Sequence, residues 1–310
     1  MSGAAPYLRI RVIYNPASGE KAGLSINSTS EQKIQALMER HGLGHDLVVT
    51  ETEEDGVRAA REAVAAQYDL VVAAGGDGTV GVIACELLDT QTALGVLPLG
   101  SIMNIPRMLD LPRDVEGAAA TLKQCIVRAI DVGEASGQLF FEAGSVGLNA
   151  AIFREGQRFG DGEYTSILRG IWVMLRYRPA RMMLHLDDRV VKTRALMVTV
   201  ANGPYTGIGF TIAPGARLDD GLFDVRVFRG FSKMELLLHL WKIAFGRRRY
   251  SPKVSTYRSS RVRVESVHPL PCRADSHDLG TTPVTFTVRS GALRIAAPPP
   301  PHPDSDSTET

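Results

Sequence analysis

Apolar and polar positions follow two rhythms along this chain. Over roughly the first 130 residues, short apolar runs alternate with stretches of helical spacing. Residues 9–15 (RIRVIYN) read as a strand ending in the turn NPASG. In 28–41, Ile34, Leu37, Met38 and His41 recur at i, i+3, i+4 and i+7, which predicts a helix. Ser28 and Glu31 have capping-box spacing at its start, and Gly42 suits its stop. A strand at 45–50, an amphipathic helix at 54–66 and a strand at 68–74 follow. The last of these, YDLVVAA, is continuously apolar, as expected when both faces of a sheet are covered. A helix from about 79 to 88, a strand at 92–100, a helix at 114–125 and a strand at 128–135 complete the series. Strands alternating with helices of this length predict a parallel α/β sheet.

After about residue 134 the rhythm becomes that of strands separated by turns, interrupted by helical stretches near 164–177 and 231–246. The expected organisation is an α/β domain over 1–133 and a β-rich, sandwich-like domain over 134–297. A Pro-rich, then acidic, tail over 298–310 is expected to be disordered.

Charge sharpens the division. Residues 1–133 carry 11 Lys/Arg against 17 Asp/Glu, net −6, whereas residues 134–310 carry 24 against 17, net +7. The basic half suits an anionic partner or is simply a solvated surface. Three widely spaced cysteines, Cys85, Cys125 and Cys272, argue against a disulfide framework or a zinc site. The opening residues show no signal-peptide apolar region, and no apolar run reaches the ~20 residues that span a bilayer. A cytoplasmic protein is expected.

The densest chemistry lies in LVVAAGGDGTVG, residues 70–81. Gly76, Gly78 and Gly81 fit the dinucleotide pattern G-x-G-x-x-G. That pattern needs the first strand before it and an acidic residue at the tip of the next one. Here the third strand precedes it and the next strand ends PLG. Gly75 and Gly76 instead let a backbone approach phosphates, and the following helix offers open N–H groups. Asp77 then acts through Mg²⁺, takes a proton, or only caps the helix.

NPASG (15–19), GGDGT (75–79) and LPLGS (97–101) occur in order, each at the end of a predicted strand. With GSVGLNAAIF (144–153), FTIAPGARLDDGLFDVRVF (210–228) and PVTFTVRSGALRIAAP (283–298), they resemble the diacylglycerol kinase catalytic domain family of bacterial lipid, sphingosine and ceramide kinases. The resemblance implies an NAD kinase/diacylglycerol kinase-like α/β domain, a β-rich domain and an active site in the cleft. It implies transfer of the γ-phosphate of ATP, with Mg²⁺, to a hydroxyl of diacylglycerol, a sphingoid base or ceramide. By resemblance, Asn15, Pro16, Ser18, Gly19 and Thr50 contact the nucleotide, as do Gly75, Gly76, Asp77, Gly78, Thr79, Gly100 and Ser101. Asp77, Asp275 and His277 are the implied catalytic residues. A structural Mg²⁺ would use Asp220 and the carbonyls of Arg217 and Leu222.

Three positions depart from the family pattern. Gly81 and Val82 stand where an Asn-Glu pair is usual, GSIMN replaces G-T-x-N-D/N, and Asp275-Ser276-His277 replaces D-G-E. An imidazole can take over the proton-accepting role of that Glu. The alternative is a weakly active or non-catalytic nucleotide-binding regulatory protein of the same fold. A more distant alternative is another GGDGT kinase, acting on NAD or a sugar phosphate. Residues 231–250 and 166–181, with Trp241, Trp172 and clustered arginines, have the composition of interfacial helices or of core-packed helices with basic ends. A transient, peripheral membrane association is expected. No nucleic-acid motif is present, and the sequence allows a homodimer.

Overall fold

A computed structural model describes residues 9–18, 20–21, 24–25, 30–100, 102–158, 163–207, 209–232, 234–235, 238 and 253–298. Gly19, Ser101, most of the 231–250 stretch and nearly all of the 298–310 tail lie outside them. The chain divides into two compact units: Met1–Ile130 with Ala292–Thr310, and Asp131–Gly291.

In chain order the first unit contains β1 (Ile10–Tyr14), β2 (Glu20–Lys21), β3 (Leu24–Ser25), α1 (Glu31–His41), β4 (Asp46–Val49) and α2 (Glu53–Ala65). Then come β5 (Leu70–Gly75), α3 (Asp77–Leu87), β6 (Ala93–Pro98), α4 (Asn104–Met108) and α5 (Val115–Leu122). Four strands pair in parallel in the order β6-β5-β1-β4. Alternate residues of β1 and β5 face opposite layers. Val12, Tyr14, Val72 and Ala74 share a core with Ile34, Leu37 and Met38 of α1 and Ala118, Ala119 and Leu122 of α5. Each large apolar side chain buried this way contributes about 1.5–3 kcal/mol.

Caps show why the helices begin where they do. Ser30, two residues beyond the expected Ser28, accepts the Lys33 N–H and starts α1. Gly42 ends it at φ 65°, as its position predicts. Thr52 and Asp55 form a reciprocal capping box at α2.

The second unit is β-rich. After β7 (Ile126–Ala135), which crosses from one unit to the other, come β8 (Gln138–Phe140), β9 (Ala143–Gly147), α6 (Leu148–Arg158) and α7 (Glu163–Arg176). They are followed by β10 (Ala180–Leu186), β11 (Arg189–Ala201), β12 (Tyr205–Thr206), β13 (Phe210–Thr211) and β14 (Phe223–Arg229). The last five are β15 (Val254–Ser259), β16 (Arg261–Ser266), β17 (Pro271–Ala274), β18 (His277–Thr281) and β19 (Val284–Ala297). Inner faces of β10, β11, β14, β16 and β19 meet around Phe140, Phe223 and Phe286, whose rings stack or meet edge-on. A second core packs Leu148 and Ile152 of α6 and Met174 of α7 against Leu196, Met197 and Phe228.

Two expectations change here. GSVGLNAAIF, which by the family resemblance is a glycine-rich strand, is not one strand: Gly147, at φ 97°, ends β9 and the remainder coils into α6. The border expected at 133/134 falls at 130/131, and the chain returns to the first unit at Ala292, where Ile295 pairs with Leu94.

Candidate functional site

In the first unit the loops after β1, β4, β5 and β6 all leave the carboxyl edge of the parallel sheet, where open α/β sheets bind ligands. Asn15 follows β1 and its N–H donates to the Ala74 carbonyl at 3.0 Å. Its side chain then ties two loops together: Nδ2 donates to Thr79 Oγ1 at 3.0 Å, and Oδ1 accepts the Ala17 N–H at 3.0 Å. Ser18 Oγ accepts the Gly76 N–H at 3.2 Å and lies 3.4 Å from Thr79 Oγ1. Pro16, between them, is exposed.

The helix α3 starts at Asp77, with Gly76 as an N-cap that supplies no side-chain hydrogen bond. The cap residue thus leaves the first-turn N–H groups without a capping side chain, and they carry the positive end of the helix dipole. Two glycines make the loops close enough for this. A Cβ on Gly75 would sit 2.5 Å from Thr79 Cβ, and one on Gly100 would sit 2.9 Å from Gly76 Cα. A Cβ on Gly78 meets nothing within 4 Å, so the space beside it is open.

Asp77 is not directed at that space. Its carboxylate accepts the N–H groups of Asn104 at 3.1 Å and Ile105 at 3.2 Å, which holds the loop after β6 and the start of α4. Burial pushes its pKa up, opposed by these donors and by Met103 N–H. Asp77 thus positions the loop rather than offering a free carboxylate. Thr50 is buried, and its hydroxyl donates to the Tyr14 carbonyl at 3.2 Å, bracing β4 against β1.

The Asp275-Ser276-His277 segment lies in the second unit, at the hairpin joining β17 to β18. Asp275 adopts φ 42° and is partly buried. Its oxygens accept the N–H groups of Phe141 at 2.7 Å, Glu142 at 3.1 Å and Ala143 at 3.0 Å. Burial raises its pKa, against those donors and the charge of Arg273. With three backbone donors on its two oxygens, Asp275 is a structural clamp, which corrects its reading as an acid–base group. His277, two residues on, is exposed. The next residue, Asp278, is held by Arg154 of α6 through Nε at 2.7 Å and Nη2 at 2.6 Å. The backbone carrying His277 is therefore fixed on both sides.

The D-D-G turn does not offer the expected Mg²⁺ site. Asp220 Oδ1 accepts the Leu222 N–H at 3.1 Å, and Oδ2 is ion-paired with the Arg258 guanidinium. Arg258 also lies 3.9 Å from Asp224. Asp224 is itself paired with Arg226 at 2.9 Å, so two guanidinium groups already neutralise the two carboxylates and the residues do not fit a dication there. Arg217 is ion-paired with Asp219 at 3.0 Å.

Asp131 belongs to none of the sequence motifs. It is 2 % exposed, and it accepts the Gly291 N–H at 2.8 Å and the Gly221 N–H at 2.6 Å, joining β19 to the D-D-G turn. A carboxylate inside an otherwise buried strand segment was the available signal.

Comparison with known proteins agrees with this geometry. Residues 9–135 match the diacylglycerol kinase catalytic domain, and residues 145–297 match the YegS C-terminal NAD kinase beta sandwich-like domain. A probable lipid kinase YegS-like of Chromohalobacter salexigens is 32% identical over 266 residues, covering 82% of this chain and 85% of the relative. A diacylglycerol kinase of Bacillus subtilis is 27% identical over 296 residues, covering 94% and 96%. The crystal structure of a putative diacylglycerol kinase from Bacillus anthracis superposes with a TM-score of 0.77 at 22% identity, covering 95% of this chain and 98% of that one, and shows the shared fold.

Proposed function

The chain belongs to the family of diacylglycerol kinase-type and YegS-like lipid kinases, and from that premise we propose that it transfers the γ-phosphate of ATP to a lipid hydroxyl. Diacylglycerol is the proposed acceptor, with sphingoid bases and ceramide as the related candidates. Mg²⁺ enters with the nucleotide, as part of the substrate rather than as a resident ion.

The observation that carries this reading is the uncapped start of α3, held open between the Asn15–Thr79 and Asp77–Ile105 hydrogen bonds. Backbone N–H groups at a helix start receive phosphate oxygens. Gly76 and Gly78 let the phosphates come close, and Asn15, Ser18 and Thr79 supply polar side chains beside them. Such a cradle stabilises charge on the transferring group, which is most of what phosphoryl transfer requires from a protein.

The acceptor hydroxyl gives its proton to the imidazole of His277, its oxygen bonds to the γ-phosphorus, and the bond from that phosphorus to the bridging oxygen breaks to release ADP. The rigidly held but exposed position of His277 supports this role. Peripheral membrane association is also proposed. It is supported by α7, where Trp172 and Leu175 are 53% and 48% exposed and Arg176 stacks 4.6 Å over the Trp172 ring. No helix among the described residues is long and apolar enough to cross a membrane. Incubation with γ-labelled ATP and a lipid panel tests the reading: label in an organic-phase lipid is expected, and its absence from every lipid opposes it.

A further inference from the structure

The outward face of β10, β11 and β16 carries an uncompensated arrangement of charge. Cross-strand register places Arg181 of β10 directly opposite Arg194 of β11, and Met183 directly opposite Lys192. Arg181, Lys192 and Arg194 are all exposed. Like charges placed directly opposite on a sheet are unfavourable unless something anionic separates them. Among the described residues, no carboxylate forms an ion pair with any of these three cations. The one acid on this face, Glu265, is engaged by Arg263 at 2.9 Å and His185 at 3.7 Å. These residues border a shallow groove of about 570 Å³ whose floor includes Met183 and whose rim includes Val267.

Apolar side chains flank the cations. Val267 is 70% exposed and Val190 54% exposed, at the ends of β16 and β11. Charge with apolar edges is what a headgroup layer accepts: phosphates meet the cations and short apolar groups enter the boundary beneath. A nucleic-acid surface would interleave aromatic rings for stacking, and the groove lining contains none.

We propose that this sheet face docks on an anionic phospholipid surface, with a headgroup phosphate seated between Arg181 and Arg194. It gives the basic half of the chain its anionic partner. The inference adds a docking surface to the lipid-kinase reading, but it is measured by binding and not by turnover.

Arg194→Glu is the decisive variant. It places a carboxylate opposite Arg181 and turns a like-charged pair into an attractive one, so the fold is retained or strengthened while the anion site is destroyed. The full chain is mixed with phosphatidylcholine vesicles, with and without phosphatidylglycerol, and sedimented. Wild type is expected to bind only the anionic vesicles, and more weakly at high salt. Arg194→Glu is expected to bind at least about tenfold more weakly. Lys123→Glu, an exposed charge reversal in the first unit, should bind like wild type. Phosphorylation of a short-chain, water-dispersed diacylglycerol should be equal in Arg194→Glu and wild type. Equal loss in both variants would show a net-charge effect and overturn the assignment. Vesicle binding unaffected by Arg194→Glu, or a face that retains nucleic acid but not vesicles, would overturn it too. Face-dependent vesicle binding by a protein that phosphorylates no lipid would leave the surface standing and remove the kinase reading.

Discussion

Asn15 and Thr79 are 64 positions apart, yet Asn15 Nδ2 donates to Thr79 Oγ1 over 3.0 Å. The bond fastens the loop after β1 to the first turn of α3, beside the N–H groups proposed to hold phosphates. Thr79→Val keeps the branched shape and removes the acceptor. It should weaken ATP binding about tenfold while lowering stability by about 1 kcal/mol, the net value of one such bond. Calorimetric titration with ATP and a thermal melt read the two effects separately, and unchanged ATP affinity would exclude the Asn15–Thr79 link from the site.

Two glycines in the same site should behave oppositely. A Cβ at Gly100 would sit 2.7 Å from Met103 Sδ and 2.9 Å from Gly76 backbone, whereas one at Gly78 has open space. Gly100→Ala should cost about 1–3 kcal/mol by overpacking and lose ATP binding with it. Gly78→Ala should melt like wild type and still bind ATP more weakly, because its methyl group enters the space assigned to phosphate. Equal ATP affinity for Gly78→Ala and wild type would place the nucleotide elsewhere.

Two guanidinium groups, Arg258 on Asp220 and Arg226 on Asp224, take the place of a dication at the D-D-G turn. Without nucleotide, neither Mg²⁺ nor EDTA should move the wild-type melting temperature. Arg258→Met leaves Asp220 with no cation, while Asp224 keeps the Arg226 guanidinium at 2.9 Å; it should melt lower in EDTA and recover part of the loss in Mg²⁺. A wild-type melting temperature that falls in EDTA would show that the turn holds a metal after all.

The capping box gives a pH signature. Hydrogen bonds from Thr52, with Arg58 beside it, lower the Asp55 pKa from 3.8 to about 2. Its folded pKa lies below its unfolded one, so the stabilisation is complete above about pH 4 and is lost as pH falls toward 2. The melting difference between wild type and Asp55→Asn should therefore be constant near neutrality and vanish at the acid end. A difference that persists at pH 2 would contradict this.

Legibility followed the range of the interactions involved. The strands β1, β4, β5 and β6 and their glycine turns were readable because periodicity and backbone freedom are local. The Ser30 cap was missed by two positions because Ser28 and Ser30 present the same local chemistry. The break at Gly147 was hidden because an apolar run suits a buried strand and a buried helix equally. Roles set by distant partners were not readable. Asp275 serves backbone donors more than 130 positions away, and Arg258 reaches Asp220 across 38. Asp77 looked like an active carboxylate because nothing local shows that its oxygens are taken by Asn104 and Ile105.

Phosphoryl transfer to a lipid, with His277 accepting the proton, is open to a direct test. The most direct measurement is label transfer from γ-labelled ATP and Mg²⁺ into diacylglycerol and related lipids by wild type, His277→Ala and Asp275→Asn, each with its melting curve. Wild type should label an organic-phase lipid. His277→Ala, changed at an exposed position, should melt within about 0.5 kcal/mol of wild type and turn over about 10²–10⁴-fold more slowly. Asp275→Asn should lose about 2–4 kcal/mol of stability, because its new amide faces buried N–H donors. Full turnover in His277→Ala would contradict the proposed base, and ATP binding without label in any lipid would contradict the kinase itself.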